Sequence, residues 1–443
     1  MYENKKILIL GMARSGYEVA KFLSNYHNEI VVTDCKEQDT SHVDELKKIG
    51  ISVVITDNPN ELLDESFDAV VKNPGIKYTH PTVVKAHELK IPVVNELEVS
   101  YHFLDPDVSI IGVTGSNGKT TTVTLIYEFL KAEKENVYLC GNIGYPVSSM
   151  VGKVKKNDIM VIEISDHQLC DMYDFKTDVS VLTNISETHI DFHDSYERYK
   201  QMKKRIFNNH GKEDIAVLNL DNEEVLNLTR DIPSTKYYFS REKEEKCYLK
   251  DGIIYYAEKK VVSTADIRIK GNHNYENIMA AIIVAKHFNI SDEAILKVLS
   301  EFKGVEHRIE YVTTIEERKF YNDSKSTNNK ATMTALSSFD DPTILLMGGL
   351  DRGIPFDSLK PYLTHVKRIE CFGETKDKIK EFALSNQIDC EVFDTMEPAI
   401  MDAYQHSDKG DVILLSPACA SWDQYKCFED RGEEFKKIVY SLK

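Results

Sequence analysis

The sequence lacks any apolar run close to the roughly 20 residues that a membrane-spanning helix requires. Its N-terminal apolar stretch runs into a glycine turn and is typical of a strand. A signal peptide would have a longer apolar region and a small-residue cleavage site. We therefore expect no membrane insertion and a cytoplasmic location.

The sequence also has fewer basic than acidic residues. It contains 55 Lys and Arg and 72 Asp and Glu, which gives a formal net charge of −17. General nucleic-acid binding depends on a basic surface, so this balance argues against it. A small anionic substrate remains compatible, since a local cluster of Lys, Arg and backbone N–H groups can hold phosphates.

Paired cysteines are absent as well. The eight cysteines lie far apart and none forms a C-x-x-C pair, so neither a zinc ribbon nor a redox pair is indicated. Most lie in apolar runs, as Cys140 and Cys371 do. We expect reduced, mostly buried thiols.

What the chain does have is a regular alternation of short apolar runs with amphipathic stretches. This alternation predicts parallel sheets with helices on both faces, and 443 residues suggest about three domains. The pattern is shorter and more irregular between residues 213 and 270. Strand-like runs occupy residues 5–11, 29–34, 68–75, 91–96, 108–115, 136–141, 158–165, 179–184, 319–324, 343–349, 368–373 and 411–417. We predict an α/β protein with domains at 1–104, 105–304 and 305–443, the outer two Rossmann-like.

The sharpest local signal is GVTGSNGKTTT at residues 112–122, between an apolar strand and a helical pattern. Glycines let backbone N–H groups approach phosphates, and a helix N-terminus favours negative charge. Lys119 can neutralise the β- and γ-phosphates, and the Thr120 hydroxyl can reach Mg²⁺. Val113 stands where the strict phosphate-loop pattern has glycine, so an ordinary glycine turn is the alternative interpretation.

Phosphoryl chemistry also needs a metal ligand near such a loop. Glu163 ends the apolar strand at 158–165, and His189 follows the next strand. Both therefore fall at the carboxyl edge of the predicted sheet, where ligands bind. A carboxylate suits Mg²⁺, and an imidazole can supplement it. The spacing of His189 and His193 is also compatible with zinc, but it follows a strand and lies outside any clear helix.

A second glycine motif, GMARSG at residues 11–16, is a degraded G-x-G-x-x-G with Ala13 at the second glycine. Asp34 ends the following strand at the spacing of a ribose-binding acid. These residues alone indicate a nicotinamide cofactor.

Taken together, the motifs resemble the Mur ligase family over essentially the whole chain, and within it the branch that adds D-glutamate to UDP-N-acetylmuramoyl-L-alanine. The motifs that carry the resemblance are TGSNGKTTT (114–122), GNIG (141–144), EISDHQL (163–169), HIDFH (189–193), GNHNYEN (271–277), EHR (306–308), NDSKSTN (322–328) and SPACASWDQYKCFEDRG (416–432). The resemblance implies a Rossmann-like nucleotide-sugar domain, a central ATPase domain with a phosphate loop and a Rossmann-like C-terminal domain. It also implies that ATP converts the precursor carboxylate to an acyl phosphate, which the amine of D-glutamate attacks.

The resemblance further implies roles for individual residues. The catalytic residues would be Lys119, Asn142, His189 and Lys203, and the Mg²⁺ ligands Thr120, Glu163, His189 and Lys203. ATP would contact Gly115, Ser116, Asn117, Gly118, Lys119, Thr120, Thr121, Asn274, Asn277, Arg308, Asp323 and Lys325. The nucleotide precursor and D-glutamate would contact Arg14, Ser15, Asp34, Cys35, Lys36, Asn73, Gly75, Ser165, Gln168, Thr327, Arg352, Ser421 and Phe428.

Lys203 aligns with the lysine that is carbamylated in this family, and a carbamate could bind a second Mg²⁺. By its residue type alone it would be a solvated helix lysine. The segment after Glu163 departs from the family, since Asp166 and His167 stand where Ser-Phe is common. These two residues add polarity near the predicted metal.

Four alternatives remain open: a sister amino-acid ligase, a folylpolyglutamate synthase, an NAD-dependent oxidoreductase and a non-enzymatic nucleotide-binding regulator. The N-terminal nucleotide-binding pattern argues against the synthase. The oxidoreductase leaves Gly118, Lys119 and Thr120 without a role, and the set Lys119, Glu163, His189 and Lys325 argues against a regulator. We expect a monomer.

Overall fold

A computed structural model of the protein describes residues 1–35, 40–187 and 190–442. The chain divides into two compact units, Met1–Glu301 and Phe302–Lys443. The first unit contains a five-stranded and a nine-stranded sheet, and the second unit contains a six-stranded sheet. The three sheets with their helices give the α/β architecture that the alternating pattern predicts.

The first sheet is entirely parallel. Its strands are β1 (Lys6–Leu10), β2 (Glu29–Asp34), β3 (Ser52–Ile55), β4 (Ala69–Lys72) and β5 (Val93–Val94), in the order β3-β2-β1-β4-β5. Its helices are α1 (Arg14–Ser24), α2 (Thr40–Lys48), α3 (Pro81–Glu88) and α4 (Glu96–Tyr101), with a 3-10 helix at Pro59–Leu62. Because β1 lies between β2 and β4, the turns that follow these three strands meet at one edge.

The second sheet is parallel from β7 to β12 and ends in an antiparallel β12-β13-β14 meander. Its strands are β6 (Ser109–Thr114), β7 (Val137–Gly141), β8 (Ile159–Glu163), β9 (Val179–Leu182), β10 (Ile215–Asn219), β11 (Thr235–Ser240), β12 (Cys247–Lys250), β13 (Ile253–Tyr256) and β14 (Lys259–Ser263), in the order β14-β13-β12-β11-β10-β9-β6-β8-β7. The stretch at 213–270 is therefore not irregular: it supplies five short strands to this sheet.

Helices cover this sheet, and the longest of them is buried almost all round. The helices are α5 (Lys119–Lys131), α6 (Asp166–Leu169), α7 (Ile190–His193), α8 (Tyr196–Lys204), α9 (Glu223–Leu228), α10 (Asn272–His287) and α11 (Asp292–Glu301), with 3-10 helices at Val147–Ser149 and Arg205–Phe207. In α10 every residue from Asn277 to Ala285 is buried, as in a helix that is apolar on all faces. It packs against α5, which begins at the predicted phosphate loop.

The third sheet has an antiparallel edge strand, and its other strands are parallel. Its strands are β15 (Glu310–Ile315), β16 (Arg318–Asn322), β17 (Thr343–Gly348), β18 (Val366–Phe372), β19 (Asp389–Val392) and β20 (Val412–Leu415), in the order β15-β16-β20-β17-β18-β19. Its helices are α12 (Asn329–Leu336), α13 (Lys376–Ser385), α14 (Met396–Gln405) and α15 (Phe428–Ser441), with a 3-10 helix at Asp357–Tyr362.

Two sequence expectations concern membranes and thiols. Among the helices in the described ranges, none has the length and apolarity to cross a bilayer. All eight cysteines are free thiols; four are buried, three are partly buried and Cys35 is exposed.

A buried histidine joins three segments of the second sheet. His210 Nε2 lies 2.8 Å from Thr177 Oγ1 and 3.1 Å from Ser180 Oγ, and its Nδ1 lies 2.9 Å from Ser234 Oγ. Burial lowers the pKa of His210 to about 4. The folded protein therefore holds a neutral imidazole at pH values where the unfolded chain binds a proton.

We predict that His210 contributes acid sensitivity to the fold. Between pH 6.5 and pH 4 the unfolded chain binds more protons at this position, so the free energy of unfolding falls as the pH falls, by about 3 kcal/mol from this group. Urea unfolding of the wild type and of His210→Gln across this interval measures the difference. His365→Gln, at an exposed histidine, is the control. Parallel pH profiles for the wild type and His210→Gln would contradict the prediction.

Candidate active site

The predicted phosphate loop connects β6 to α5, and two of its glycines have no room for a side chain. Gly118 has a φ of +80°, and a Cβ on it would lie 2.2 Å from Asn277 Oδ1. A Cβ on Gly115 would lie 2.0 Å from Thr183 Oγ1. Positive φ and close approach are the conditions under which only glycine fits without strain. The loop is therefore built for backbone N–H groups to face a ligand.

Lys119 is the first residue of α5 and lies against this loop. Its Nζ donates to Gly115 O at 2.8 Å and to Ser116 O at 3.1 Å. The helix N-terminus adds a partial positive charge at the same place. Thr120 is buried and Thr121 is half-buried in the same helical turn. The arrangement concentrates positive charge where an anion binds best.

The remaining loop residues are fixed by the segment after β9. Asn117 N donates to Asn184 Oδ1 at 3.0 Å, and Thr183 Oγ1 donates to Asn117 O at 2.6 Å. The Ser116 hydroxyl lies 2.6 Å from the Tyr199 hydroxyl. These bonds hold the loop in one conformation.

Glu163 ends β8 at the same edge of the sheet, as predicted. Asn142 Nδ2 donates to Glu163 Oε1 at 2.7 Å. Glu163 is 2% exposed, and its Oε2 has no hydrogen-bond partner among the described residues. A buried carboxylate oxygen without a partner is costly and is the kind of ligand that Mg²⁺ prefers. The residues present thus fit a divalent cation.

Lys203 is completely buried, so its interpretation as a solvated helix lysine is wrong. Its Nζ lies 3.2 Å from Asp166 Oδ1 and 3.2 Å from Thr114 Oγ1. Burial lowers the pKa of Lys203, and the Asp166 carboxylate acts in the opposite direction. Asp166 Oδ2 in turn lies 2.7 Å from His193 Nε2.

Asp166 and His193 were not among the predicted site residues. Asp166, His167 and His193 bring possible ligand atoms within 4.8 Å of one another. The sequence signals for this cluster were the departure from the family pattern at residues 166 and 167 and the spacing of His193 from His189. Predicted residues His189 and Lys36 lie outside the described residues.

Two predicted substrate residues shape the start of α6. Ser165 Oγ accepts from Gln168 N at 3.2 Å, and Gln168 Oε1 accepts from Ser165 N at 2.9 Å. This capping box fixes the backbone directly after Glu163.

The predicted nucleotide residues of the first sheet meet at one edge. Asp34 Oδ2 accepts from Met12 N at 2.8 Å, and a Cβ on Gly11 would lie 2.8 Å from Asn73 Cβ. Gly75 N donates to Asn73 Oδ1 at 3.1 Å. In the flanking positions Arg14 and Cys35 are exposed and Ser15 is half-buried.

The two predicted ATP residues of α10 differ in their surroundings. Asn277 is buried beside Gly118, and its Oδ1 accepts from Thr122 Oγ1 at 3.2 Å. Asn274 is half-buried, and its Nδ2 donates to Lys270 O at 2.8 Å. The structure thus places Asn277 directly at the phosphate loop.

In the second unit, predicted residues follow the ends of β16 and β20. Asp323 is buried, accepts from Ser416 Oγ at 2.7 Å and accepts from Ile309 N at 3.1 Å. Burial raises the pKa of Asp323 to about 6. Lys325 Nζ lies 5.8 Å from the centre of the Phe428 ring. Arg308 and Thr327 lie in the neighbouring turns and are half-buried.

Arg352 and Ser421 lie on adjacent loops of this unit. Leu350 N donates to Ala420 O at 2.9 Å, which ties the two loops together. Arg352 Cζ lies 4.9 Å from the centre of the exposed Trp422 ring. Ser421 is buried, and its hydroxyl has no hydrogen-bond partner among the described residues. This unpaired hydroxyl and the guanidinium are suited to an anionic ligand.

Three family models match the chain. They are the MurD-like N-terminal domain of Mur ligases at residues 5–95, the Mur ligase middle domain at 113–285 and the Mur ligase glutamate ligase domain at 307–419.

The chain is also similar to curated proteins over its full length. It is 47% identical to the UDP-N-acetylmuramoylalanine–D-glutamate ligases of Geobacillus sp. (strain WCH70) and Geobacillus kaustophilus (strain HTA426). Each comparison covers 100% of this chain and 99% of the relative.

Solved structures share the fold at lower identity. The UDP-N-acetylmuramate–alanine ligase MurC of Thermotoga maritima matches with a TM-score of 0.62 at 18% identity, over 99% of this chain and 100% of the other. The MurF ligase of Thermotoga maritima in complex with ADP matches with a TM-score of 0.57 at 17% identity, over 94% of this chain and 96% of the other. From the matched domains and the full-length identity, the chain belongs to the Mur ligase family.

Proposed function

We propose that this protein catalyses the ATP-dependent addition of D-glutamate to UDP-N-acetylmuramoyl-L-alanine, a step of peptidoglycan precursor synthesis. The phosphate loop is the observation that carries the proposal, because Gly115, Gly118 and Lys119 form a compact anion site at a helix N-terminus. The choice of D-glutamate is supported by the names of the relatives that are 47% identical over the full chain.

The chemistry follows from the poor reactivity of a carboxylate. The precursor carboxylate attacks the γ-phosphate of ATP, ADP leaves, and the acyl phosphate carries a good leaving group. The amine of D-glutamate then adds to the acyl carbon, loses a proton, and the tetrahedral intermediate collapses to an amide and phosphate. Lys119 and the loop N–H groups neutralise charge on the transferred phosphoryl group, and the roles proposed for Asn142 and His189 are at the reacting carboxylate.

Mg²⁺ is part of this proposal, and bound Mg²⁺ would neutralise the phosphate oxygens during transfer. Thr120, Glu163 and His189 are its proposed ligands, and the unpartnered Glu163 Oε2 supports this choice. We propose a carbamylated Lys203 as ligand of a second Mg²⁺. The lowered pKa of Lys203 favours the neutral amine that adds to CO₂ with release of a proton, although the carbamate must displace the contact with Asp166.

Each substrate has a proposed place. The precursor's nucleotide binds the N-terminal residues 1–104 at the Gly11, Asp34 and Asn73 turns, ATP binds the phosphate loop of residues 105–304, and D-glutamate binds within residues 305–443. The residues proposed for D-glutamate are Thr327, Arg352, Ser421 and Phe428. We further propose that the protein acts in the cytoplasm as a monomer.

An amino-acid panel tests the specificity. With UDP-N-acetylmuramoyl-L-alanine and ATP, we expect ADP release with D-glutamate and little with L-alanine, L-lysine, meso-diaminopimelate or L-glutamate. Coupled detection of ADP together with mass analysis of the nucleotide product measures it. Equal turnover with another amino acid would assign the chain to a different branch of the family.

Lys119→Ala tests the phosphate loop. We expect turnover to fall by roughly a hundredfold or more while the circular dichroism spectrum and melting temperature stay unchanged, because the variant loses the cation nearest the transferred phosphate. Lys131→Ala, at the exposed other end of α5, is the matched control and keeps full turnover. Near-normal turnover of Lys119→Ala would contradict the assignment of residues 112–122 as a loop that binds the phosphates of ATP.

Lys203→Ala tests the carbamate. We expect a carbamate carbon signal by NMR after incubation of the wild type with ¹³C-bicarbonate and Mg²⁺, and none in Lys203→Ala. The same variant should lose turnover and regain part of it with a short carboxylic acid. Lys204→Ala changes the neighbouring lysine, which pairs with Asp231, and should keep the signal. Absence of the signal in the wild type, or full activity of Lys203→Ala, would refute the carbamate.

A further inference from the structure

Arg431 is fully buried near the start of α15, and no role is assigned to it above. Its side chain donates only to uncharged oxygens: Nε to Ser324 Oγ at 3.0 Å, Nη2 to Ser324 O at 2.9 Å and to Cys419 O at 3.1 Å, and Nη1 to Gly348 O at 3.3 Å. Among the residues that the structure describes, the guanidinium therefore has hydrogen-bond partners but no carboxylate among them.

Arg368, the other buried arginine among the described residues of this unit, shows the contrast. It pairs with three carboxylates, those of Glu370, Asp389 and Asp402. Isolated burial of a charge is expensive, so buried arginines normally have such partners. The acids whose charges act on Arg431, Asp423 and Asp323, do so without a hydrogen bond to it. Burial lowers the pKa of Arg431 to about 10, so it stays charged at neutral pH.

The partners of Arg431 lie at one edge of the sheet. Ser324 follows β16, Gly348 ends β17 and Cys419 follows β20, and these strands are neighbours in the order β16-β20-β17. The carboxyl edge of parallel strands is where ligands bind. Ser324 Oγ also donates to Phe428 O at 2.8 Å, so the same group of bonds reaches the start of α15.

The loops held in this way carry residues proposed above for the substrates. Ser324 precedes Lys325, Cys419 lies two positions before Ser421, and Gly348 leads into the loop of Arg352. A single side chain thus connects the backbone of three loops whose side chains would contact an acidic amino acid and ATP.

We propose that Arg431 is a positioning residue for the acidic amino-acid substrate: it ties these three loops into one platform, and its unpaired charge favours a dicarboxylate there. The inference rests on the proposed function, because it concerns the D-glutamate residues. A buried charge acts through a low-dielectric interior and is screened little by salt. Arg431 itself does not touch the substrate.

Steady-state kinetics of Arg431→Gln and Arg431→Lys test the proposal. We expect Arg431→Gln to raise the KM for D-glutamate by about tenfold or more, with a much smaller change in the KM for ATP. Arg431→Lys keeps the positive charge but loses the planar guanidinium with its several N–H donors. Its affinity for D-glutamate should therefore lie between those of Arg431→Gln and the wild type. Arg368→Gln is the matched control: it should lower the melting temperature and leave the KM for D-glutamate unchanged.

Ser324→Ala keeps the test decisive if the arginine variants do not fold. It removes one acceptor of Arg431 and the bond to Phe428 O, and should raise the KM for D-glutamate several-fold, again more than the KM for ATP. Equal changes in both KM values, or no change in a folded Arg431→Gln, would overturn the inference while the wild type still uses D-glutamate. A wild type without D-glutamate-dependent turnover would overturn the proposed function and this inference together.

Discussion

The packing of α10 against α5 is the constraint on which the phosphate loop depends. Asn277 on α10 approaches Gly118 so closely that a single added carbon would lie 2.2 Å from its amide oxygen. The loop can therefore keep its left-handed turn only with glycine at position 118, and the turn leads directly into the helix that carries Lys119. Burial of nine consecutive α10 residues fixes this geometry from the core outwards.

Buried charged side chains also lie next to this loop, at the ends of the neighbouring strands. Glu163, Asp166 and Lys203 are all nearly or fully buried, where charged groups must be paired or bind ions. Asp166 is paired with Lys203 and His193, whereas one oxygen of Glu163 has no partner among the described residues. A chain that kept this arrangement for stability alone would gain by replacing it with apolar residues. The arrangement is instead consistent with a site that binds a cation and phosphate oxygens.

The second unit also buries a charged side chain at the ends of parallel strands, and there it is the cation of Arg431. Arg431 donates hydrogen bonds to the backbone carbonyls of Ser324, Gly348 and Cys419, which lie at or after the carboxyl ends of three neighbouring strands. Arg352 lies over the Trp422 ring, and the hydroxyl of the neighbouring residue, Ser421, is buried and has no partner among the described residues. In both units charged groups thus gather at the ends of parallel strands, the edge where α/β proteins commonly bind ligands.

Many of the strands could be predicted from the local pattern of apolar residues in the sequence. Strands that carry continuous apolar runs, such as β1, β6, β8 and β17, were predicted because buried parallel strands have that composition. Among the strands of residues 213–270, β11 to β14 were missed because they are short and partly exposed, so their periodicity is weak. The remaining strand, β10, is fully buried, and its apolar run was overlooked within a stretch of irregular pattern. Lys203 resembled a surface lysine, since a helix of nine residues with four lysines and arginines gives no hint of which face is buried.

The sequence by itself determined the family, the order of the sheets along the chain and the phosphate loop, because these depend on local residue types and spacing. Only the tertiary structure decided that Asp166 pairs with Lys203 and His193, and that Arg431 joins Ser324, Gly348 and Cys419. Those contacts link positions 12 to 107 residues apart. Which distant side chains are buried together depends on how helices and strands pack, and local residue patterns do not specify that packing.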